Sequence, residues 1–127
     1  MQKLNLLDCA VKVRNMMPPL RSLKILDFST LLPGPYATMM LADLGADVLR
    51  IEAPGRADLT RMIPPFEAGQ SAQHAFLNRS KRSLGLDLKK DGAIEIVNRL
   101  VQRYDIVVEQ FRPGVMDRLG VGYTALK

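Results

Sequence analysis

The order of strand, Pro-Gly-Pro turn, helix and strand between Leu23 and Ile51 most constrains what this chain can fold into. Leu23-Lys24-Ile25-Leu26-Asp27-Phe28 is a β-rich apolar run ended by Ser29 and Thr30, the pattern of a buried or half-buried strand. Pro33-Gly34-Pro35 then forces a turn. Pro35 suits the first helical position, where its missing N–H is not needed and its fixed φ is already helical. Tyr36 to Leu44 continues as helix and Gly45 closes it. Met39, Met40, Leu41 and Leu44 leave that helix little polar surface, so we expect it to be mostly covered. Asp47 to Ile51 is a second strand. Two strands and a helix within roughly 30 residues make a right-handed crossover with parallel strands.

Patterning weakens from Glu52 to Ser80, although Ser71 to Leu77 suits a short helix. Unpatterned connections of more than roughly 12–15 residues are usually functional or disordered. Arg82 to Leu88 puts Leu84, Leu86 and Leu88 on one face, a period-two strand. Asp91 can cap a helix running to about Tyr104, with Ala93, Val97, Leu100, Val101 and Tyr104 on one stripe. Asp105 to Glu109 is a further strand; Phe111-Arg112-Pro113-Gly114 turns into a short helix stopped by Gly120, and a new helical segment starts near Tyr123. The fold class is α/β, a Rossmann-like parallel sheet with flanking helices, incomplete at the carboxyl end.

A chain of 127 residues, 47% hydrophobic, holds one core. Pro18-Pro19 separates residues 1–19, an extension expected to be disordered, from the patterned residues 20–127. The net charge is +5, but apart from Lys81-Arg82 and Lys89-Lys90 the cations are scattered among acids, and Trp is absent. There is no long basic stripe and no interleaved aromatic platform, which disfavours nucleic acid without excluding it. Cys9 and His74 are the only residues of their types, so neither a disulfide framework nor a cysteine–histidine metal site is expected. No run approaches the roughly 18–20 apolar residues of a transmembrane helix, and the first residues lack an apolar signal segment. These features lead us to expect a cytoplasmic protein that binds no metal, no membrane and no nucleic acid.

The turn at Leu31 to Pro35 offers backbone N–H groups at a helix start, which attract anions. It is not GxGxxG, and Pro33 and Pro35 remove donors that a pyrophosphate cradle would use. Asn78-Arg79-Ser80-Lys81, Arg50 and Gln110-Phe111-Arg112 are read at strand ends, where cations suit phosphates, although Arg50 alone reads as a solvated surface charge. Their recurrence favours a phosphorylated ligand.

Leu26-Asp27-Phe28, Pro33-Gly34-Pro35, Leu41 to Val48, Arg50-Ile51-Glu52, Asn78-Arg79 with Lys81 to Leu84, and Glu109 with Phe111 to Val115 together resemble family III CoA-transferases, which include the α-methylacyl-CoA racemases. The resemblance covers Leu20 to Lys127 and makes this the amino-terminal part of the family's large domain. It implies coenzyme A, bound as an acyl-CoA, with a carboxylic acid as second substrate and an interlocked homodimer in the full-length form. By position, Leu32 and Pro33 resemble the turn that meets the thioester arm. Asn78, Arg79, Ser80 and Lys81 resemble the phosphate and adenine loop, and Gln110, Phe111, Arg112 and Arg118 a further CoA-contacting segment. Lys81, Arg112 and Arg118 would neutralise phosphate, and Phe111 would pack on the base or the pantetheine arm.

Two departures stand out. Ala53 replaces an arginine common after Arg50-Ile51-Glu52, leaving Arg56 or Lys81 to compensate, and Leu32 replaces the glutamine of formyl-CoA transferases. In the transferases, the resemblance implies, an aspartate beyond Lys127 attacks the acyl-CoA and carries CoA to the second carboxylate. In the racemases a downstream histidine and aspartate exchange the α-proton. No catalytic residue is nominated here: His74 reads as locally hydrogen-bonded, and Asp27, Asp43, Asp47 and Asp87 as backbone caps. A racemase fragment and a non-catalytic truncated product are the alternatives.

Overall fold

A computed structural model describes residues 17–127. Residues 1–16, most of the expected extension together with Cys9, lie outside the described residues. Four strands, β1 (Lys24–Asp27), β2 (Asp47–Glu52), β5 (Arg82–Gly85) and β6 (Ile106–Val108), form one sheet in the order β5-β2-β1-β6. Every pairing is parallel, with Lys24 opposite Asp47, Ile25 opposite Ile106 and Leu49 opposite Arg82. The expected Rossmann-like parallel sheet is therefore what the chain forms.

Period-two alternation sends neighbouring side chains to opposite faces. Ile25 and Val48 pack with Ala42 and Ala46 beneath α1 (Pro33–Asp43). Leu26, Leu49 and Ile51 pack on the other face with Val97, Met116 and Val121, contributed by α3 (Ala93–Val101), α4 (Val115–Arg118) and the following turn. Burial on both faces is why the strands read as continuous apolar runs.

Several local expectations are corrected. The helix α1 starts at Pro33, two residues earlier than predicted, and it is only half covered. Thr38, Met39 and Ala42 are buried while Tyr36, Met40 and Leu44 are about half exposed. The cap of α3 is Gly92 in the left-handed region (φ +78), not Asp91, and the helix ends at Val101. Strand β5 ends at Gly85, although Leu84, Leu86 and Leu88 all pack on one core cluster.

The weakly patterned stretch holds a 3₁₀ turn (Leu59–Met62), a two-residue hairpin of β3 (Phe66–Glu67) and β4 (Gln70–Ser71), and α2 (Ala72–Asn78). Ser71 caps α2, accepting from the His74 N–H. At the other end of α1, Gly45 (φ +99) leaves room only for Pro18, and the Leu20 N–H reaches the Leu44 carbonyl at 3.1 Å. Residue 18 thus already packs on the fold.

Candidate functional site

Parallel strands bring their carboxyl ends to one edge, and ligands of open α/β sheets bind in the crevice beyond it. Here that crevice is a cleft of about 880 Å³. Its apolar wall includes Phe28 after β1, Ile51 of β2, Leu86 and Leu88 after β5, and Phe111 after β6. Four cations line it as well: Arg56, Lys89, Arg112 and Arg118. All four are exposed, and among the described residues none is paired with a carboxylate.

The carboxylates of the cleft are Glu52, Asp58 and Asp87. Glu52 accepts from both Arg61 Nε (2.9 Å) and Nη2 (2.7 Å), and this fork holds its pKa down at about 2. Asp58 is buried and accepts from Arg50 Nη2 at 2.5 Å. Both charges are thereby offset by arginine. Asp87 Oδ1 accepts the Lys89 N–H at 3.0 Å, which turns the chain into the loop that presents Lys89. The field left over in the cleft is positive.

One wall of the cleft is the turn after β1, through Thr30 and Leu31. Side chains from distant strand ends fix it. Gln110 Nε2 donates to the Thr30 carbonyl, while its Oε1 accepts the Gly34 N–H at 3.0 Å. The Leu31 N–H donates to Asp58 Oδ2 at 3.2 Å. A Cβ at Gly34 would overlap Ser29 and lie 2.9 Å from Gln110 Oε1, so this close approach demands glycine. The expectation of free N–H groups at this helix start is corrected. Pro33 and Pro35 have none, and Gly34 has spent its own on Gln110.

Beneath the turn lies a buried ion pair. Asp27 Oδ1 accepts from the Ser29 N–H (2.8 Å) and the Ser29 hydroxyl, and Oδ2 from Thr38 Oγ1 (2.5 Å). The Lys81 ammonium completes the set, 3.4 Å from Asp27 Oδ2, 2.8 Å from the Pro35 carbonyl and 3.3 Å from Asn78 Oδ1. Burial pushes the lysine below its ordinary pKa, with the Asp27 charge opposing the shift.

The expected ligand residues fall into two groups. Phe111, Arg112 and Arg118 come together on the cleft, whereas Gln110 braces its wall. Leu32 caps α1 and Pro33 begins it, beside Leu31, and neither lines the cleft. Asn78, Arg79, Ser80 and Lys81 precede β5 instead of following it, so they sit at the end of α2 against α1, away from the cleft. Arg79 pairs with Asp43 (Nη2–Oδ2 2.5 Å) and stacks over Phe76 at 4.3 Å, and Ser80 makes the turn at φ +62.

Arg50 is no solvated charge: it is 2% exposed and held by Asp58 and Glu52. His74 is indeed locally hydrogen-bonded. The Thr60 hydroxyl gives its one proton to Asp58 Oδ1, so His74 Nδ1–H donates to Thr60 across 2.9 Å. Asp43 and Asp47 hold arginines instead of capping backbone. Nothing in the sequence marks Leu86 to Lys89 as a loop on the cleft, because the leucine alternation runs past the end of β5.

Comparison with known proteins completes the picture. The model of CoA-transferase family III matches residues 20–127. Acetyl-CoA:oxalate CoA-transferase of Acetobacter aceti is 44% identical over 108 residues, 85% of this chain and 28% of the relative. Succinyl-CoA:mesaconate CoA-transferase of Haloarcula hispanica is 45% identical over 116 residues, covering 87% of this chain and 29% of its own. A crystal structure of a CAIB/BAIF family protein from Brucella suis superposes with a TM-score of 0.80 at 36% identity, over 87% of this chain and 30% of that one. The chain thus spans less than a third of the length of these relatives.

Proposed function

The chain belongs to CoA-transferase family III, and from that membership we propose that residues 20–127 are the CoA-ester-binding, amino-terminal part of a large domain. The complete protein moves CoA between an acyl-CoA and a carboxylic acid through an aspartate lying beyond this chain. The observation that carries this reading is the cleft at the sheet's carboxyl edge, where four exposed cations, unpaired among the described residues, border an apolar wall. A CoA ester matches both halves: phosphates for the cations, base and pantetheine arm for the wall.

Arg112 and Arg118 neutralise phosphate, with Lys89 and Arg56 supplying the charge that Ala53 lacks. Phe111 packs on the base or the arm. Asn78, Arg79, Ser80 and Lys81 act from behind, through the Lys81 anchor on the Pro35 carbonyl. The Acetobacter aceti and Haloarcula hispanica relatives are CoA-transferases, which favours CoA transfer over α-proton exchange.

The complete protein works in the cytoplasm as a homodimer. Leu32, Tyr36, Met40 and Leu44, four residues apart and each about half exposed, provide an apolar stripe along α1 and its two caps for it to cover. The 127-residue chain alone turns over no substrate.

Calorimetric titration with CoA and acetyl-CoA tests the binding. Wild-type chain should bind both, and Arg112→Ala and Arg118→Ala should each weaken binding roughly five- to tenfold and flatten its salt dependence. A wild-type chain that binds no CoA ester would refute the proposal.

A further inference from the structure

Leu31 is held in the left-handed region (φ +64), which costs a leucine free energy that glycine or asparagine would not incur. That strain is not repaid by burial, because the residue is 44% exposed and its side chain lines the cleft. The conformation persists because the surroundings over-determine it. The Leu31 N–H is held by Asp58, itself fixed by Arg50 and by the Thr60 N–H at 2.9 Å. On either side, the Thr30 carbonyl and the Gly34 N–H are both held by Gln110. Buried or half-buried Arg50, Asp58 and Gln110 therefore aim one apolar side chain into a cleft that four exposed cations also line.

We infer that Leu31 is a ligand-contacting, specificity-determining residue that packs on the uncharged, apolar arm of the anionic ligand, and that Asp58 and Gln110 are its positioning residues. This rests on the CoA reading given above. The cations select the phosphates and do not distinguish one phosphorylated nucleotide from another. Leu31 rewards a ligand that carries an apolar arm in addition.

The test compares CoA with adenosine 3′,5′-bisphosphate, which lacks the arm, by calorimetry on the 127-residue chain, with thermal unfolding measured alongside. In Leu31→Gly the strain is relieved and the side chain lost. CoA affinity should fall about fivefold, the exposed half of a leucine's burial being what the ligand captures. Affinity for the bisphosphate should stay unchanged, and the unfolding midpoint should hold or rise. Leu31→Asn tolerates the same backbone and should show the same selective loss.

Wild-type affinity for CoA in Leu31→Gly overturns the inference. So does an equal loss of both ligands, or a lowered midpoint in both variants, any of which would make Leu31 a packing residue. If wild type binds the bisphosphate and CoA with equal affinity, the arm gains nothing here and the inference fails while the cleft's role stands. If wild type binds neither, the CoA reading falls first.

Discussion

Replacing Lys81 by methionine separates two roles for one cation. As a phosphate ligand, Lys81 would be dispensable for folding; as the structure has it, its side chain is 1% exposed and its partner Asp27 is wholly buried. Lys81→Met keeps most of the stem's volume but leaves the Asp27 carboxylate without its counter-charge and the Pro35 carbonyl without its 2.8 Å donor. Removing one partner of a buried pair costs about 3–5 kcal/mol. Asp27 retains the Ser29 N–H, the Ser29 hydroxyl and Thr38 Oγ1, and the chain no longer buries an ammonium, so the loss belongs at or below the lower end, about 2–3 kcal/mol. For a domain of this size that is a fall of about 8–13 °C in Tm. Differential scanning calorimetry reads it directly, and Asp27→Asn combined with Lys81→Met should recover part of the loss, because the orphaned charge is gone. An unchanged Tm with weakened CoA binding would refute the reasoning and return Lys81 to the ligand.

Two further outcomes follow from the same region. Gly34→Ala forces a Cβ onto Ser29 and toward Gln110 Oε1, and should cost about 2–3 kcal/mol in chemical denaturation; unchanged stability would mean that the Gln110 brace does not hold the turn. Burial keeps the pKa of His74 below its ordinary 6.5, so as pH falls through 6.5 the unfolded chain takes up a proton that the folded chain resists. Stability should therefore decline from pH 6.5 toward the lower folded-state value, and His74→Asn should flatten that slope in urea melts at pH 7.0 and 5.5; an identical slope would place the proton uptake elsewhere.

The core was legible because two signals coincide in it. Apolar runs give Ile25, Leu26, Val48 and Leu49 their faces, and Pro and Gly mark the turns between them. The stretch from Glu52 to Ser80 was not, since polar contacts hold it. Glu52 binds Arg61, Asp58 binds Arg50, and Ser71 Oγ donates to the Ile63 carbonyl at 2.6 Å. A hydrogen bond depends on where two groups end up in space, and it leaves no period in the sequence. Gly92 displaced Asp91 as the cap of α3 for a related reason: its left-handed backbone sets the chain's entry to the helix without a side-chain bond.

Charged residues were legible as charges but not as partners. Lys81 meets Asp27 across 54 positions and Arg79 meets Asp43 across 36, and nothing local distinguishes these cations from Arg112 and Arg118, which line the cleft with no carboxylate partner among the described residues. What decides between them is strand register. Glu52 ends β2 opposite Gly85, so the chain that follows Gly85 lies at the sheet's carboxyl edge beside the cleft, and the backbone that precedes Arg82 does not. That rule admits Leu86 to Lys89 to the cleft and sends Asn78 to Lys81 behind it, although both segments carry the lysines and polar groups that suit a phosphate. The two sides remain coupled through the turn between them, for Lys81 grips it at Pro35 while Gln110 and Asp58 grip it at Thr30, Gly34 and Leu31. A cation that does not line the cleft can therefore still set the shape of one of its walls.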